Sequence, residues 1–509
     1  MPGSARPAVI DGQGGTGDAG AARLPDRPDP GPAWLPLIPA ALTLLIGLYQ
    51  IQRPSFSRDE TATLAAVHRS FPQLVRMLGT VDVVHGAYYA LIWVVVRAGG
   101  SGEFVLRLPS AVALAVTAAL VTALGRRLVS SWAGLAAGLA FAVLPPVSWF
   151  AETAREGALV AALGTLASYC LVRALQAEAG RRRWITGYGV SLAFLGLANL
   201  FALLIVLAHA ITLAVLRRRY RVGRELVLGW LIAAAAALVV LSPVAVAGYG
   251  QLHQIHWLKP PGLGQVLSVQ RIIGPSVLFL LTVAVCLAGL AAGRSRLTRY
   301  WPAGLLALSL PWLILPPVIL LLASLVHPVY TYRYIVYCIP AAALLIGAAV
   351  AALGRYAGPV ALVLIVVAGL HAQVSERYPA GHGINIRAAD RVVARHAEPG
   401  DALLNISAQN GPAKGSGERT LEGAYPYGLA RLHDVSRGVS PQQSATLGGT
   451  YAPSSLIRQR LARVSRLWVV EWNTPKPVLI LHGLGFTLVH SWEIKGHLWL
   501  RLFVARGRS

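Results

Sequence analysis

The sequence predicts an α-helical polytopic membrane protein with about eleven transmembrane helices and a C-terminal extracytoplasmic α/β domain. Three observations carry this. Hydrophobic residues make up 55% of the 509 and charged ones only 13%, against about a quarter charged in soluble chains, and the mean hydropathy is +0.58. Apolar runs recur from Trp34 to Gln373, each close to the roughly 20 residues that cross a hydrocarbon core as a helix. Arginines gather in short clusters between those runs, as cytoplasmic loops require.

The first element, residues 1–33, is rich in Gly, Pro, Ala and Asp and cannot bury a core, so it reads as a disordered cytoplasmic tail. The run from Trp34 follows without a small-residue cleavage site and reads as a retained first span. Beyond it, topology follows from Arg126-Arg127, Arg181-Arg182-Arg183, the set Arg217 to Arg219 with Arg221 and Arg224, the set Arg294, Arg296 and Arg299, and Arg355. Two clusters on one side require an even number of crossings between them. The apolar stretch between the second and third would be far longer than a 30 Å core as one helix, at about 1.5 Å per residue. It must turn back, near Asn199. The run Val83 to Ala98 breaks the parity if counted as a crossing, and with Asp82, His85, Arg97, Glu103 and Arg107 around it reads as a helix in the outer interface.

The crossings expected are 34–52, 108–125, 131–149, 157–176, 184–198, 200–216, 226–248, 273–292, 301–324, 334–353 and 356–373. They put the N-terminus inside, the first loop 53–107 outside, and residues 374–509 outside. In that last stretch Ala388 to His396 reads as a helix, Pro399-Gly400-Asp401 as a turn, Ala402 to Asn405 and Leu467 to Trp472 as strands, and Phe486 to Val504 as a hairpin about Lys495-Gly496. Residues 407–455 are poorly patterned.

Composition excludes several function classes. The net charge of +24 is spread over inter-span clusters and forms no nucleic-acid-binding face. Cys170, Cys286 and Cys338 all lie in apolar runs and read as small buried hydrophobes. There is no His-Cys cluster for zinc and no Gly-rich strand-to-helix turn for a nucleotide sugar. A divalent cation at Asp59 and Glu60 is the one metal reading, and two carboxylates are not diagnostic of it.

Acids are scarce in the membrane half, so their positions are informative. Asp59 and Glu60 stand past the outer end of the first span, with Asp82 and His85 in the same loop. There a carboxylate can serve as a base without the cost of a charge in mid-membrane. Ser57-Arg58-Asp59-Glu60, then Asp82-Val83-Val84-His85-Gly86-Ala87-Tyr88-Tyr89, then Glu103-Phe104-Val105-Leu106-Arg107-Leu108-Pro109-Ser110 together resemble the GT-C glycosyltransferases of family 39. That group includes protein O-mannosyltransferases and aminoarabinose transferases, and the chain is most similar to its actinobacterial mannosyltransferases. It departs from many relatives in having Gly86-Ala87 where they carry a Pro-Pro pair.

The resemblance implies a polyprenyl-phosphate-linked sugar as donor, mannose in several relatives, a glycan, lipid or protein acceptor outside, and catalysis by Asp59. Displacing a phosphate from an anomeric carbon needs little acid assistance, so one base for the acceptor hydroxyl suffices. Arg107 and Arg333 are candidates to hold the departing phosphate, since a guanidinium matches two of its oxygens. Glu60, Asp82, His85 and Arg155 are candidates for donor or acceptor binding.

Each candidate has a plainer reading. Ser57-x-x-Glu60 fits a capping box, and neighbouring helical residues point about 100° apart, so Asp59 and Glu60 do not pair by default. Arg107 can snorkel to headgroups. Glu152, Arg155 and Glu156 fit a local ion pair, and His85, with His253 and His256, fits an ordinary interfacial histidine. Gln251 to Arg271, with Trp257, Lys259 and Pro260-Pro261, either covers the donor or anchors in lipid, and Tyr332-Arg333-Tyr334 fits an interfacial belt. The competing class is a lipid-linked sugar flippase or transporter, which would place polar groups in mid-membrane and repeat its halves.

Overall fold

A computed structural model describes residues 31–177, 179–220, 222–255, 258, 260–294, 299, 302–405, 419–472, 484–496 and 498–506. The expected tail up to residue 30, Arg221, Arg296, His256, Trp257, Lys259 and residues 406–418 of the poorly patterned stretch lie outside these.

Among the described residues seven helices are long and apolar enough to cross a membrane, or up to nine if each of two bent pairs counts as one span. The seven are Glu103–Leu128, Gly157–Gln176, Leu200–Tyr220, Arg224–Gly250, Ala303–Ala323, Tyr332–Ala352 and Gly354–Glu376. The bent pairs are Ser131–Val143 with Pro145–Ala151, turned by 63°, and Leu263–Ile272 with Ser276–Ala292, turned by 65°. The protein is therefore a multi-pass membrane protein, but the expectation of eleven spans is too high. The helix expected to cross first, Leu37–Leu48, has 12 residues and extends only about 18 Å at 1.5 Å each. Arg181–Ala198 opens on three arginines, which leaves too short an apolar stretch. The break near Asn199 is present: Asn199 is extended, and its Oδ1 accepts from the Phe201 amide at 2.9 Å.

Small residues let the helices approach closely, as lipid-immersed packing requires. A Cβ on Gly347 would fall 2.5 Å from the Ala133 carbonyl, and one on Gly289 2.6 Å from Ala349 Cα. Hydroxyls inside the spans return to the carbonyl four residues back, as Thr165 does to Ala161 at 2.7 Å and Thr122 to Ala118 at 2.8 Å. No buried hydroxyl donor is thereby wasted at these positions.

After Glu376 the pattern changes to period two. Five strands form one sheet in the order β2-β1-β3-β5-β4, with β1 Ala402–Asn405, β2 His433–Asp434, β3 Arg466–Trp472, β4 Phe486–Ile494 and β5 Leu498–Ala505. The pairs β1–β2 and β1–β3 are parallel; β3–β5 and β4–β5 are antiparallel. Alternation along β3 sorts its side chains. Trp468 and Val470 pack with Ala389 and Val393 of the helix Ile386–His396, while Leu467 and Val469 pack with Leu461 of the helix Ser454–Leu461. The hairpin turns at Gly496, whose φ of +105° suits a residue without Cβ.

This sheet region holds the first loop in place. Phe56 N donates to Tyr425 Oη at 3.0 Å, and that hydroxyl donates to Glu103 Oε1 at 2.9 Å. Arg387 pairs with Glu103 and donates to the carbonyls of Gln52 and Arg53 at 2.8 and 3.1 Å. Arg69 reaches from the loop to the carbonyls of Pro441 and Thr446.

Candidate active site

The loop after the first helix folds into Arg58–Val67, and its start is a closed capping box. Glu60 N donates to Ser57 Oγ at 3.3 Å, and Ser57 N to Glu60 Oε2 at 2.8 Å. Glu60 is fully buried and receives Arg107 as a fork, Nε to Oε1 at 2.7 Å and Nη2 to Oε2 at 3.0 Å. The Ala154 amide donates to Oε1 at 3.0 Å. Burial works against this charge, and Arg107, His382 and the Ser57 amide outweigh it, holding the Glu60 carboxyl below the ordinary range.

One expectation is corrected here. Arg107 is itself fully buried, and its remaining donors reach the carbonyls of Ile51, Pro54 and Ser55 at 2.6, 3.0 and 3.2 Å. With its N–H groups so engaged it has none to offer a phosphate, so it is not the clamp. The Asp59 and Glu60 carboxylates turn to guanidinia of different elements, Arg333 and Arg107. Among the described residues no group of three or more His, Cys, Asp or Glu is arranged to hold a metal.

Asp59, one position before Glu60, points the other way. Its Oδ2 accepts from Arg333 Nη1, and both side chains are about two-fifths exposed. Burial by surrounding groups disfavours its charge, yet Arg155, Arg333 and His85 together hold the carboxyl below its usual range. Arg333 also lies over the Trp149 ring at 5.4 Å.

A second cluster stands beside this pair. Arg155 Nη2 is 3.2 Å from His85 Nε2, its Nη1 donates to Tyr89 Oη at 3.4 Å, and its Nε is 3.3 Å from Glu156 Oε2. His85 Nδ1 is 3.5 Å from that same Glu156 oxygen. Because Nε2 meets a guanidinium donor, the tautomer with its proton on Nδ1 suits both neighbours. Tyr89 Oη donates to Asp82 Oδ2 at 2.7 Å, and Asp82 adopts φ +58°. That strained turn is pinned from the other side. The Asp82 and Val83 amides donate to Gln254 and Gln251 at 3.2 and 3.0 Å.

Residues 85–246 match the family model described as dolichyl-phosphate-mannose-protein mannosyltransferase. The fold is similar to that of ArnT from Cupriavidus metallidurans in the apo state, at 15% identity and a TM-score of 0.61, over 92% of this chain and 97% of that one. The chain thus shares its fold with these membrane enzymes. The same ArnT bound to undecaprenyl phosphate superposes with a TM-score of 0.55 at 15% identity, over 92% and 97% of the two chains. An oligosaccharyltransferase from Archaeoglobus fulgidus in the apo form gives 0.50 at 12% identity, over 86% and 70%. No curated protein matches the sequence.

Within this fold the candidates divide. Asp59, Asp82, His85, Arg155 and Arg333 come together from the first loop, the segment between the helices ending at Ala151 and starting at Gly157, and the start of the span at Tyr332. Glu60 and Arg107 stand apart as a support. The sequence reading missed Tyr89 and Trp149. The spacing of His85 and Tyr89, one helical turn apart, pointed to the first; nothing local pointed to Trp149. Glu152 does not pair with Arg155: it meets Arg377 at 3.1 Å and lies 3.7 Å from His382.

Proposed function

We propose that this chain transfers a sugar from a polyprenyl-phosphate carrier to a hydroxyl acceptor on the extracytoplasmic face of the membrane, with Asp59 as general base. Residues 34–373 form the membrane domain, and residues 374–509 lie outside with the Asp59 loop, which they contact through Tyr425 and Arg387, and help position the acceptor. The observation that carries the reading is the half-exposed Asp59 carboxylate with two guanidinia, Arg333 and Arg155, close enough to hold it charged.

In the reaction the acceptor oxygen attacks the anomeric carbon as the bond to the phosphate oxygen breaks. The electron pair leaves on the phosphate, and the hydroxyl proton passes to Asp59. Charge grows on the phosphate in the transition state, so Arg333 and Arg155 contribute most there. Arg155 takes the clamp role first assigned to Arg107. His85, Tyr89 and Asp82 bind sugar hydroxyls or fix Arg155. Support for the carrier comes from ArnT, whose structure with undecaprenyl phosphate shares this fold. Mannose is the preferred sugar through the matched family model.

The test uses the purified chain in proteoliposomes with radiolabelled polyprenyl-phosphate mannose and parallel polyprenyl-phosphate sugars. Label should leave the lipid fraction and free polyprenyl phosphate should appear in equal amount, while a nucleotide-linked sugar gives nothing. Intact donor accumulating in the opposite leaflet, with its label still on lipid, would establish a flippase instead.

The charge around Asp59 sets a pH dependence. A base works only when ionised, so transfer is retained above its lowered pKa and lost as pH falls through it. Arg333→Gln removes one of the groups that lower it, and the acid limb of kcat/KM should move to higher pH. An unmoved limb would separate Arg333 from the base.

A further inference from the structure

At the far end of the molecule from Asp59 lies a pocket of about 670 Å³ lined by Ser130, Trp132, Arg299, Gly354, Arg355 and Pro359 among others, with no Asp or Glu among the described lining residues. Its depth follows from one helix. Glu103–Leu128 carries Arg107 near its start, bonded to Glu60 beside Asp59, and runs for 26 residues to the pocket wall at Val129 and Ser130. That is about 39 Å at 1.5 Å per residue, close to the thickness of a bilayer with its headgroups. The pocket therefore opens in the headgroup layer of the opposite leaflet.

Its chemistry is that of an anion site. Two exposed guanidinia line it, Arg299 and Arg355. Two helices begin at it, Ser131–Val143 and Gly354–Glu376, and their N-terminal amides favour negative charge. Trp132, partly exposed, supplies the amphipathic ring typical of a membrane interface.

An apolar groove of about 620 Å³ adjoins the same turn. Leu353 lines the groove where Gly354 lines the pocket. The groove then follows Tyr356, Val360 and Leu364, one turn apart along the helix, opposite Val285 and Ala288. A basic pocket beside an open apolar strip of helix surface fits one class of molecule.

We propose that this face binds an anionic phospholipid of the inner leaflet, its phosphate between Arg299 and Arg355 and one acyl chain along the groove beside Tyr356. Basic pockets between membrane helices recognise such headgroups. The site is independent of the Asp59 chemistry.

The experiment is a thermal melt of the detergent-purified full chain with added phosphatidylglycerol, phosphatidylcholine or inorganic phosphate, alongside native mass spectrometry of retained lipid. Phosphatidylglycerol should raise Tm and be retained over phosphatidylcholine. The double variant Arg299→Gln/Arg355→Gln should lose that preference, and Arg299→Lys/Arg355→Lys should keep it. Equal responses to the two lipids overturn the proposal, as does an unchanged preference in the Gln variant. A rise reproduced by inorganic phosphate alone assigns the pocket to a free anion and overturns the lipid. The comparison of lipids on the parent chain decides the matter even if the Gln variant fails to fold.

Discussion

Asp59→Asn should lower kcat for sugar transfer by about 10²–10⁴-fold, the range that a positioned general base contributes, with little change in melting temperature. The two effects separate for a structural reason. Asp59 is about two-fifths exposed and its partner Arg333 is similarly open to solvent, so removing the charge strands no buried group. Exposed pairs of this kind contribute little to stability. Asn keeps the shape and can still accept from Arg333, so donor binding should survive and the loss should fall on kcat rather than KM. Single-turnover transfer rates and a thermal melt on the same preparation check both halves. Parental rates in the Asn variant would remove Asp59 from the chemistry and leave the Arg155 cluster as the site to test next.

The parts of the fold that were legible are those in which local pattern and membrane physics coincide. Gly157–Gln176 was expected at 157–176, because an apolar run of about 20 residues is what a crossing helix requires. The strands at Ala402 and Leu467 and the hairpin at Gly496 were legible from alternation and a turn glycine. The span count was not. An apolar run does not announce how much of it becomes helix, and Leu37–Leu48 stops short, with the next residue, Tyr49, already extended. The bend after Val143 was also hidden, although Pro145 and Pro146 stand at the first positions of the second helix, where proline is tolerated.

At the site, Asp59 stood out because carboxylates are rare beside lipid, and the capping box could be read from Ser57 and Glu60 alone. The exchange of roles between Arg107 and Arg155 could not. Both arginines follow an apolar or polar boundary, and both have acids nearby in sequence. What separates them is tertiary. Arg107 is engaged by a carboxylate 47 positions away, whereas Arg155 keeps its local partner Glu156 and also faces His85 and Tyr89, with Glu152 drawn to Arg377.

That tertiary difference predicts the largest stability effect in the molecule. Arg107→Gln should destabilise the chain by about 3–5 kcal/mol, as does breaking a buried ion pair by removing one partner. The Glu60 carboxylate would remain fully buried with its guanidinium gone, and the carbonyls of Ile51, Pro54 and Ser55 would lose their donors together. Glu60→Gln should cost a similar amount from the other side. Pairing Glu60→Gln with Arg107→Met removes both charges, so part of the loss should return. The return stays incomplete because the Ile51 and Ser55 carbonyls still lack their Arg107 donors. Because the Glu60 pKa is lowered on folding, its contribution is present above the ordinary carboxylate range and fades as pH falls through the depressed value. Denaturant or thermal melts of the three variants at neutral and acidic pH measure each step. An Arg107→Gln protein as stable as its parent, with KM for the lipid donor raised instead, would restore Arg107 to the phosphate and undo the division between the Glu60 support and the Asp59 site.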